Sequence, residues 1–170
     1  DDTLGKHLIE EIKNNSVIDC FHVYEYEGMN NKFLVLFMPT QWQYEFLEAF
    51  VRVFGNEEML FVDSEGYSGR KTYAGMGGCY YSARLAAAEK LKQMQKQAGV
   101  IVFRESYRGY IPLGVWLVRE NVRSALKNEP KKFSDFSSAT NYIRAKIVLP
   151  YSRYVNDSTL LKEKNKAKNR

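Results

Sequence analysis

The sequence feature that most constrains the fold is a strongly helical run at residues 79–98. It is rich in Ala, Leu, Lys, Gln and Glu, which have high helix propensity, and it contains three consecutive alanines. A glycine-rich turn at residues 75–78 precedes the run, and Gly99 ends it. The apolar run at residues 100–103 follows at once and predicts a strand over residues 100–104. The pattern therefore predicts a long helix with a face of small side chains that packs against a β-sheet.

The remaining patterns predict an α+β fold, with a small mixed sheet of about four strands packed against four to five α-helices. Two β-rich runs flank a Gly- and Asn-bearing loop and predict a hairpin of residues 17–26 and 32–38, and residues 59–62 predict another strand. Apolar spacing predicts helices at residues 4–12, 40–53, 79–98, 115–126 and 134–145. The helix at 40–53 is predicted from a stripe of Trp42, Phe46, Ala49, Phe50 and Val53, with Gly55 just past its end.

Length and composition limit the classes of protein. The chain has 170 residues, and we expect one globular domain over residues 1–155 and a basic, flexible tail over residues 156–170. The net charge is +5, but four lysines and one arginine against one glutamate in residues 162–170 supply most of it. The charge therefore permits a nucleic acid partner without pointing strongly to one.

Two cysteines, Cys20 and Cys79, lie too far apart for a cysteine-rich zinc site or a disulfide framework, so we predict no metal site and a reducing cytoplasm. His7 and His22 are predicted to be surface residues. The sequence has no apolar run of membrane-spanning length and no signal peptide pattern, so no membrane association is expected. The chain begins with Asp1, and we expect it to be a fragment of a longer protein.

Cations and aromatic residues are interleaved around the glycine turn and in the segments that follow it. A glycine-rich turn that opens a helix offers unpaired backbone N–H groups and the positive end of the helix dipole, which suit a phosphate. We therefore predict a nucleic-acid- or phosphate-binding surface, in which tyrosine and tryptophan rings stack on bases. Its predicted members are Arg70, Lys71, Gly77, Gly78, Tyr80, Arg84, Arg104, Tyr107, Arg108, Tyr110, Trp116, Arg119 and Arg123.

A structural explanation of the same residues stays open. The glycines could serve positive φ angles or close helix packing, and their spacing fits neither the dinucleotide fingerprint nor the P-loop. Arg84 lies among small apolar residues, so it could be buried and paired with a carboxylate. Trp116 could pack inward while Glu120 pairs with Arg123.

Three functions follow from these patterns. The preferred hypothesis is a domain that binds DNA or a nucleotide through the predicted surface. The alternative is an enzyme that processes a nucleotide or dinucleotide, with Glu105 or Glu120 as general acid or base. A third is a structural region that supports a missing N-terminal half of a longer protein. The sequence does not identify a cofactor.

Residues 77–85 (GGCYYSARL), 109–120 (GYIPLGVWLVRE) and 38–48 (MPTQWQYEFLE) resemble the C-terminal half of the archaeal Nre DNA-repair proteins. The resemblance implies a role in the DNA damage response and recruitment to a sliding clamp through a short C-terminal peptide. A clamp-binding peptide requires a glutamine and paired aromatic residues, and residues 160–164 (LLKEK) contain neither. The sequence therefore argues against clamp binding by this chain. The resemblance also implies that the family's cysteine-bearing N-terminal half is missing, and it supplies no catalytic residue.

Overall fold

The computed structural model describes residues 2–112 and 114–168, and its central element is a mixed β-sheet with helices on both faces. The strands are β1 (Phe21–Gly28), β2 (Asn31–Met38), β3 (Gln43–Val51), β4 (Glu58–Glu65), β5 (Gly99–Tyr107) and β6 (Lys131–Phe133). The helices are α1 (Asp2–Ile12), α2 (Gly78–Met94), α3 (Gly114–Lys127), α4 (Phe136–Lys146), α5 (Tyr151–Asp157) and α6 (Thr159–Lys168). The predicted α+β class is confirmed, although the sheet has six strands where about four were expected.

The strands lie in the order β4-β3-β5-β2-β1-β6. β3 and β5 run parallel, and every other neighbouring pair is antiparallel. The predicted hairpin is confirmed as β1 and β2, which are joined through Met29 and Asn30 with φ of 54° and 57°. Two positive φ angles in a two-residue loop give a turn whose twist matches that of the flanking strands.

Two hydrophobic cores lie on opposite faces of the sheet. α1, α2 and α3 cover one face, where Tyr44, Phe46 and Val102 meet the alanine-rich side of α2. α4, α5 and α6 cover the other face, where Leu47 and Phe103 are buried. The small side chains of α2 are buried in this core, where they permit the close approach of a neighbouring element that the sequence predicts.

The prediction of a helix at residues 40–53 is wrong, because β3 occupies this segment. Helices pack on both faces of the sheet at β3, so side chains on both of its faces are buried. Such a strand is apolar at nearly every position, and its residues therefore also satisfy a helical spacing. The clue was the dense run of aromatic and β-branched residues, which favours a strand.

The C-terminal segment contains two helices. α5 and α6 form there, and Tyr154, Leu160 and Leu161 are buried against the sheet. A buried carboxylate helps to hold α6, since the Ser158 hydroxyl and the Thr159 amide donate hydrogen bonds to Glu45. The division into a domain of residues 1–155 and a tail of 156–170 stays a prediction.

Candidate functional site

The start of α2, the predicted centre of the anion site, is closely packed. Gly77 precedes the helix with a φ of 70°, a left-handed conformation that favours glycine. A Cβ atom on Gly78 would lie 2.6 Å from Cγ2 of Val115, so α3 covers this part of the helix start. Both glycines therefore have the structural roles that the sequence left open.

Carboxylates also face this turn. The Met76 amide points to Oδ2 of Asp63 at 3.4 Å, and a cavity of about 430 Å³ beside it is lined by Asp63 and Glu48. Burial raises the pKa of the Cys79 thiol, and the nearby charge of Glu48 acts in the same direction. The Met76 amide of this turn is therefore directed at a carboxylate of the protein and not at an external phosphate.

Arg84 and Tyr80 point from α2 into a buried polar network. Arg84 is 2% exposed, and its guanidinium donates to Oε1 of Glu65 at 2.8 Å and to Oδ1 of Asp2 at 2.5 Å. Burial alone would lower the pKa of Arg84, because it disfavours the charged guanidinium. The hydrogen bonds and negative charges of Glu65 and Asp2 have the larger combined effect and raise this pKa above its ordinary value. The Tyr80 hydroxyl donates to the same Glu65 oxygen at 2.9 Å. The network joins α1, the end of β4 and α2, and the Tyr80 ring is too buried to stack on a base.

Arg104 is buried on β5, away from this network. Its Nη1 donates to Oε2 of Glu48 at 2.7 Å, and Nε and Nη2 donate to Oδ1 of Asn31 at 3.2 and 3.1 Å. The partners of Arg104 are therefore on the neighbouring strands β2 and β3.

Glu105 projects from β5 to the opposite face of the sheet and is 1% exposed. It accepts hydrogen bonds from the amides of Val148 and Leu149 at 2.7 and 2.9 Å. The hydroxyls of Tyr107 and Tyr154 also donate to it, each at 2.8 Å. Burial and the Glu105 charge raise the pKa of both phenols, so they remain protonated donors. Four donors thus enclose the carboxylate that the sequence offered as a general acid or base.

Arg119, Glu120 and Arg123 lie together on α3, as their spacing predicts. Arg123 binds Glu89 of α2 through Nε and Nη2 at 2.9 and 2.6 Å, and its Nη1 lies 2.8 Å from Glu120. Nε of Arg119 lies 3.8 Å from the same carboxylate. Trp116, at the start of this helix, is 64% exposed, so the alternative in which it packs inward is wrong, whereas the alternative pairing of Glu120 with Arg123 is confirmed.

The segment after β5 holds two further predicted residues. Arg108 is exposed, and the Tyr110 ring lies 5.8 Å from that of Phe50 at the end of β3. The structure therefore distributes the thirteen predicted residues over several surfaces, and their binding roles stay predictions.

Three of the predicted residues, Arg70, Lys71 and Arg84, do meet in one cleft. This cleft, of about 490 Å³, lies between α1 and the segment that joins β4 to α2. We call it the α1 cleft. It is lined by Asp2, Lys6, Ile9, Glu10, Lys13, Glu65, Ser68, Gly69, Arg70, Lys71, Thr72, Tyr73, Tyr81 and Arg84. Five cations and three carboxylates are among these residues, so its lining carries an excess of positive charge.

The cations of the α1 cleft differ in their partners. Arg70 is held by Oδ1 of Asp63 at 2.6 Å and by the Ser64 carbonyl at 2.7 Å. Lys6 lies 3.1 Å from Asp2 but is largely exposed. Lys71 is exposed, and it forms no ion pair with any residue in 2–112 or 114–168. The rim of the cleft thus presents ammonium groups to solvent, whereas its floor is neutralised by the Arg84 network.

Tyr73 is the residue of this cleft that sequence reasoning missed. Its ring is 67% exposed and lies 4.7 Å from the buried ring of Tyr81, with the planes tilted by 31°. The Tyr81 hydroxyl accepts a hydrogen bond from the Ala74 amide at 2.8 Å, which fixes the backbone next to Tyr73. An aromatic residue in a polar segment beside Arg70 and Lys71 was the available signal. The α1 residues Lys6 and Lys13 gave none, because only tertiary packing brings α1 to this segment.

The described part of the chain contains no group of three or more His, Cys, Asp and Glu residues that could hold a metal ion. His7 is exposed beside Glu11, as predicted for a surface residue, whereas His22 is buried on β1 near the Tyr24 hydroxyl. Among residues 2–112 and 114–168, no helix is both long and apolar enough to cross a membrane.

Comparison with known proteins identifies two family regions. Residues 65–169 match the sequence model described as the C-terminal part of archaeal Nre, and residues 1–54 match the one described as its N-terminal part. The expected resemblance to the C-terminal half alone is therefore too narrow, since part of the N-terminal region is also present.

The relatives include proteins from two archaea. DNA repair protein NreB of Archaeoglobus fulgidus is 40% identical over 171 residues, which cover 95% of this chain and 43% of that protein. DNA repair protein NreA of the same organism is 37% identical over 142 residues, covering 80% of this chain and 36% of the relative. DNA repair protein NreA of Haloferax volcanii is 34% identical over 149 residues, which cover 82% of this chain and 35% of that protein.

The chain thus spans less than half the length of each of these relatives. No solved structure matches it. The family models cover nearly the whole chain, and the one for the C-terminal part covers more than half of it. The chain therefore belongs to the archaeal Nre family.

Proposed function

We propose that this chain acts in DNA repair and that it binds the sugar–phosphate backbone of DNA in the α1 cleft. The repair role is supported by the relatives, which are named DNA repair proteins. The observation that carries the binding role is the positive rim of this cleft, with Lys6 and Lys71 exposed at its edge. Exposed ammonium groups bind phosphates and release counterions from DNA.

The floor of the α1 cleft supports this role in a different way. Arg84 pairs with both Glu65 and Asp2, so its guanidinium binds no external anion. It ties α1 to β4 and α2 and thereby fixes the distance between the two walls. A site whose walls are held in place loses little conformational entropy when a ligand binds.

The set of residues proposed to bind phosphate therefore differs from the set predicted from the sequence. Arg70 and Lys71 remain as candidates for phosphate binding, and Lys6 joins them. Lys13 does not, because its side chain is 12% exposed and its ammonium group lies 2.7 Å from Glu10. The start of α2 does not belong to the proposed site, because Val115 covers it and Asp63 faces it.

The test is DNA binding by fluorescence anisotropy over a range of salt concentrations, with a Lys6→Ala, Lys71→Ala double variant. If both ammonium groups contact phosphates, the double variant binds more weakly, and the slope of log K against log[salt] becomes shallower by about 2. Circular dichroism checks that the variant is folded.

The matched control is Lys131→Ala, Lys132→Ala, which removes the same charge from β6. This exposed strand lies at the opposite edge of the sheet from β4. An equal loss of affinity in both double variants would show that binding follows net charge alone, and unchanged binding by the cleft variant would also refute the proposal.

A further inference from the structure

We infer that the α1 cleft holds a single unpaired nucleotide, with its base stacked on the ring of Tyr73. This inference rests on the proposed function and specifies which form of DNA the cleft accepts. The cleft volume of about 490 Å³ lies within the range of small-ligand sites. A cleft of this size admits one nucleotide but not a base-paired helix, so a base must be unpaired or extruded to enter it.

Tyr73 has the properties of a stacking platform. Its ring is two-thirds exposed, although an aromatic side chain gains most when it is buried. The ring rests on Tyr81, whose hydroxyl binds the Ala74 amide, and the Arg84 guanidinium lies 4.9 Å from the Tyr81 ring centre. One side of the Tyr73 ring thus contacts the buried Tyr81 ring, and the rest of the Tyr73 ring is exposed to solvent.

Cations for the phosphate lie in the same segment. Lys71 and Arg70 precede Tyr73 by two and three residues, and the Thr72 side chain also lines the cleft. Lys6 approaches from α1 on the other wall. A ring for the base and ammonium groups for the phosphate are what non-specific recognition of an unpaired nucleotide requires.

The test compares three DNA molecules of equal length: a paired duplex, the same duplex with one unpaired nucleotide, and a single strand. The unpaired position carries 2-aminopurine, whose fluorescence is quenched when the base stacks on an aromatic ring. We expect wild-type protein to prefer the two DNAs with unpaired bases and to quench the probe.

Tyr73→Ala should weaken binding to these two DNAs by about tenfold or more, because one base–ring stack is lost. Its affinity for the paired duplex should stay the same, and the quenching should disappear. Tyr73→Phe, which keeps the ring, should retain both preference and quenching. Phe54→Ala removes a ring of similar exposure, 58%, after β3 and outside the α1 cleft, and it should leave all three affinities unchanged.

The possible failures are distinguishable. If wild-type protein binds no DNA, the proposed function fails and this inference fails with it. If it binds all three DNAs equally, or if Tyr73→Ala keeps the preference, DNA binding stands and only the single-nucleotide inference is overturned. Thermal unfolding of Tyr73→Ala checks that the buried Tyr81 contacts persist.

Discussion

Removal of the Glu105 carboxylate should destabilise the fold. In Glu105→Ala the Leu149 amide and the Tyr154 hydroxyl lose their acceptor in a buried environment. The Val148 amide also loses its acceptor, but this residue is exposed, so water can replace the carboxylate. A buried donor left without a partner costs about 1–3 kcal/mol, whereas Tyr107 is half-exposed and can turn to water. We therefore expect the free energy of unfolding to fall by about 4 kcal/mol, a large part of the 5–15 kcal/mol that typically stabilises a protein.

Glu105→Gln is a milder change. Its amide oxygen can still accept hydrogen bonds, but its NH₂ group replaces the second acceptor oxygen and faces groups that are themselves donors. Its cost should be about 2 kcal/mol. This variant carries the test if Glu105→Ala does not fold. The control is Glu120→Ala on α3, since Arg123 retains its bonds to Glu89 and the loss should stay below about 1 kcal/mol.

The assay is urea denaturation at pH 7, with unfolding monitored by circular dichroism. If the free energy of unfolding of Glu105→Ala lies within about 1 kcal/mol of the wild-type value, the structural role is refuted and Glu105 returns to the candidates for acid–base chemistry. A catalytic carboxylate can usually be removed with little loss of stability, so the two roles predict opposite results.

Two further substitutions test the packing on the α1–α3 face of the sheet. Burial lowers the pKa of His22, so as pH falls below 6.5 the unfolded state takes up a proton first and the free energy of unfolding declines. His22→Gln should remove this part of the decline in urea titrations between pH 7.5 and 5, and identical pH profiles would contradict it. Gly78→Ala should cost about 1–3 kcal/mol through its contact with Val115, despite the better helix propensity of alanine. Adding Val115→Ala should recover part of this loss, and a Gly78→Ala variant more stable than wild type would exclude the proposed packing.

Local signals predicted the elements that depend on local chemistry. The β1–β2 hairpin is specified by its two β-rich runs and by Asn30 in the turn, a residue that tolerates positive φ. α2 is specified by helix propensity and by the glycines before it. β5 is specified by a short apolar run with turn signals on both sides.

Elements that depend on tertiary pairing were not predictable in this way. β3 is identified as a strand only by its pairing with β4 and β5 and by the helices that bury both of its faces. β6 has only three residues and exists through its pairing with β1. Its short sequence contains two lysines and indicates a loop as readily as a strand.

The site could be predicted only in part, for the same reason. Arg84 reaches a carboxylate 19 positions away and another 82 positions away, and Arg104 reaches one 56 positions away. No local pattern tells whether an arginine will meet such a partner or remain available to a ligand. Arg70 and Lys71 were found from composition, but the wall formed by α1 required the structure.

The two family regions of this chain are interleaved in one sheet. β5 comes from the region at residues 65–169 and lies between β3 and β2, which both come from residues 1–54. A cut between residues 54 and 65 would therefore remove the shared neighbour of two buried strands and leave their backbone groups unpaired. The α1 cleft is divided in the same way, because Lys6 lies on the N-terminal region and Tyr73 on the C-terminal one. A site built across this boundary requires both regions to fold together, so neither family region alone can carry the proposed binding of DNA.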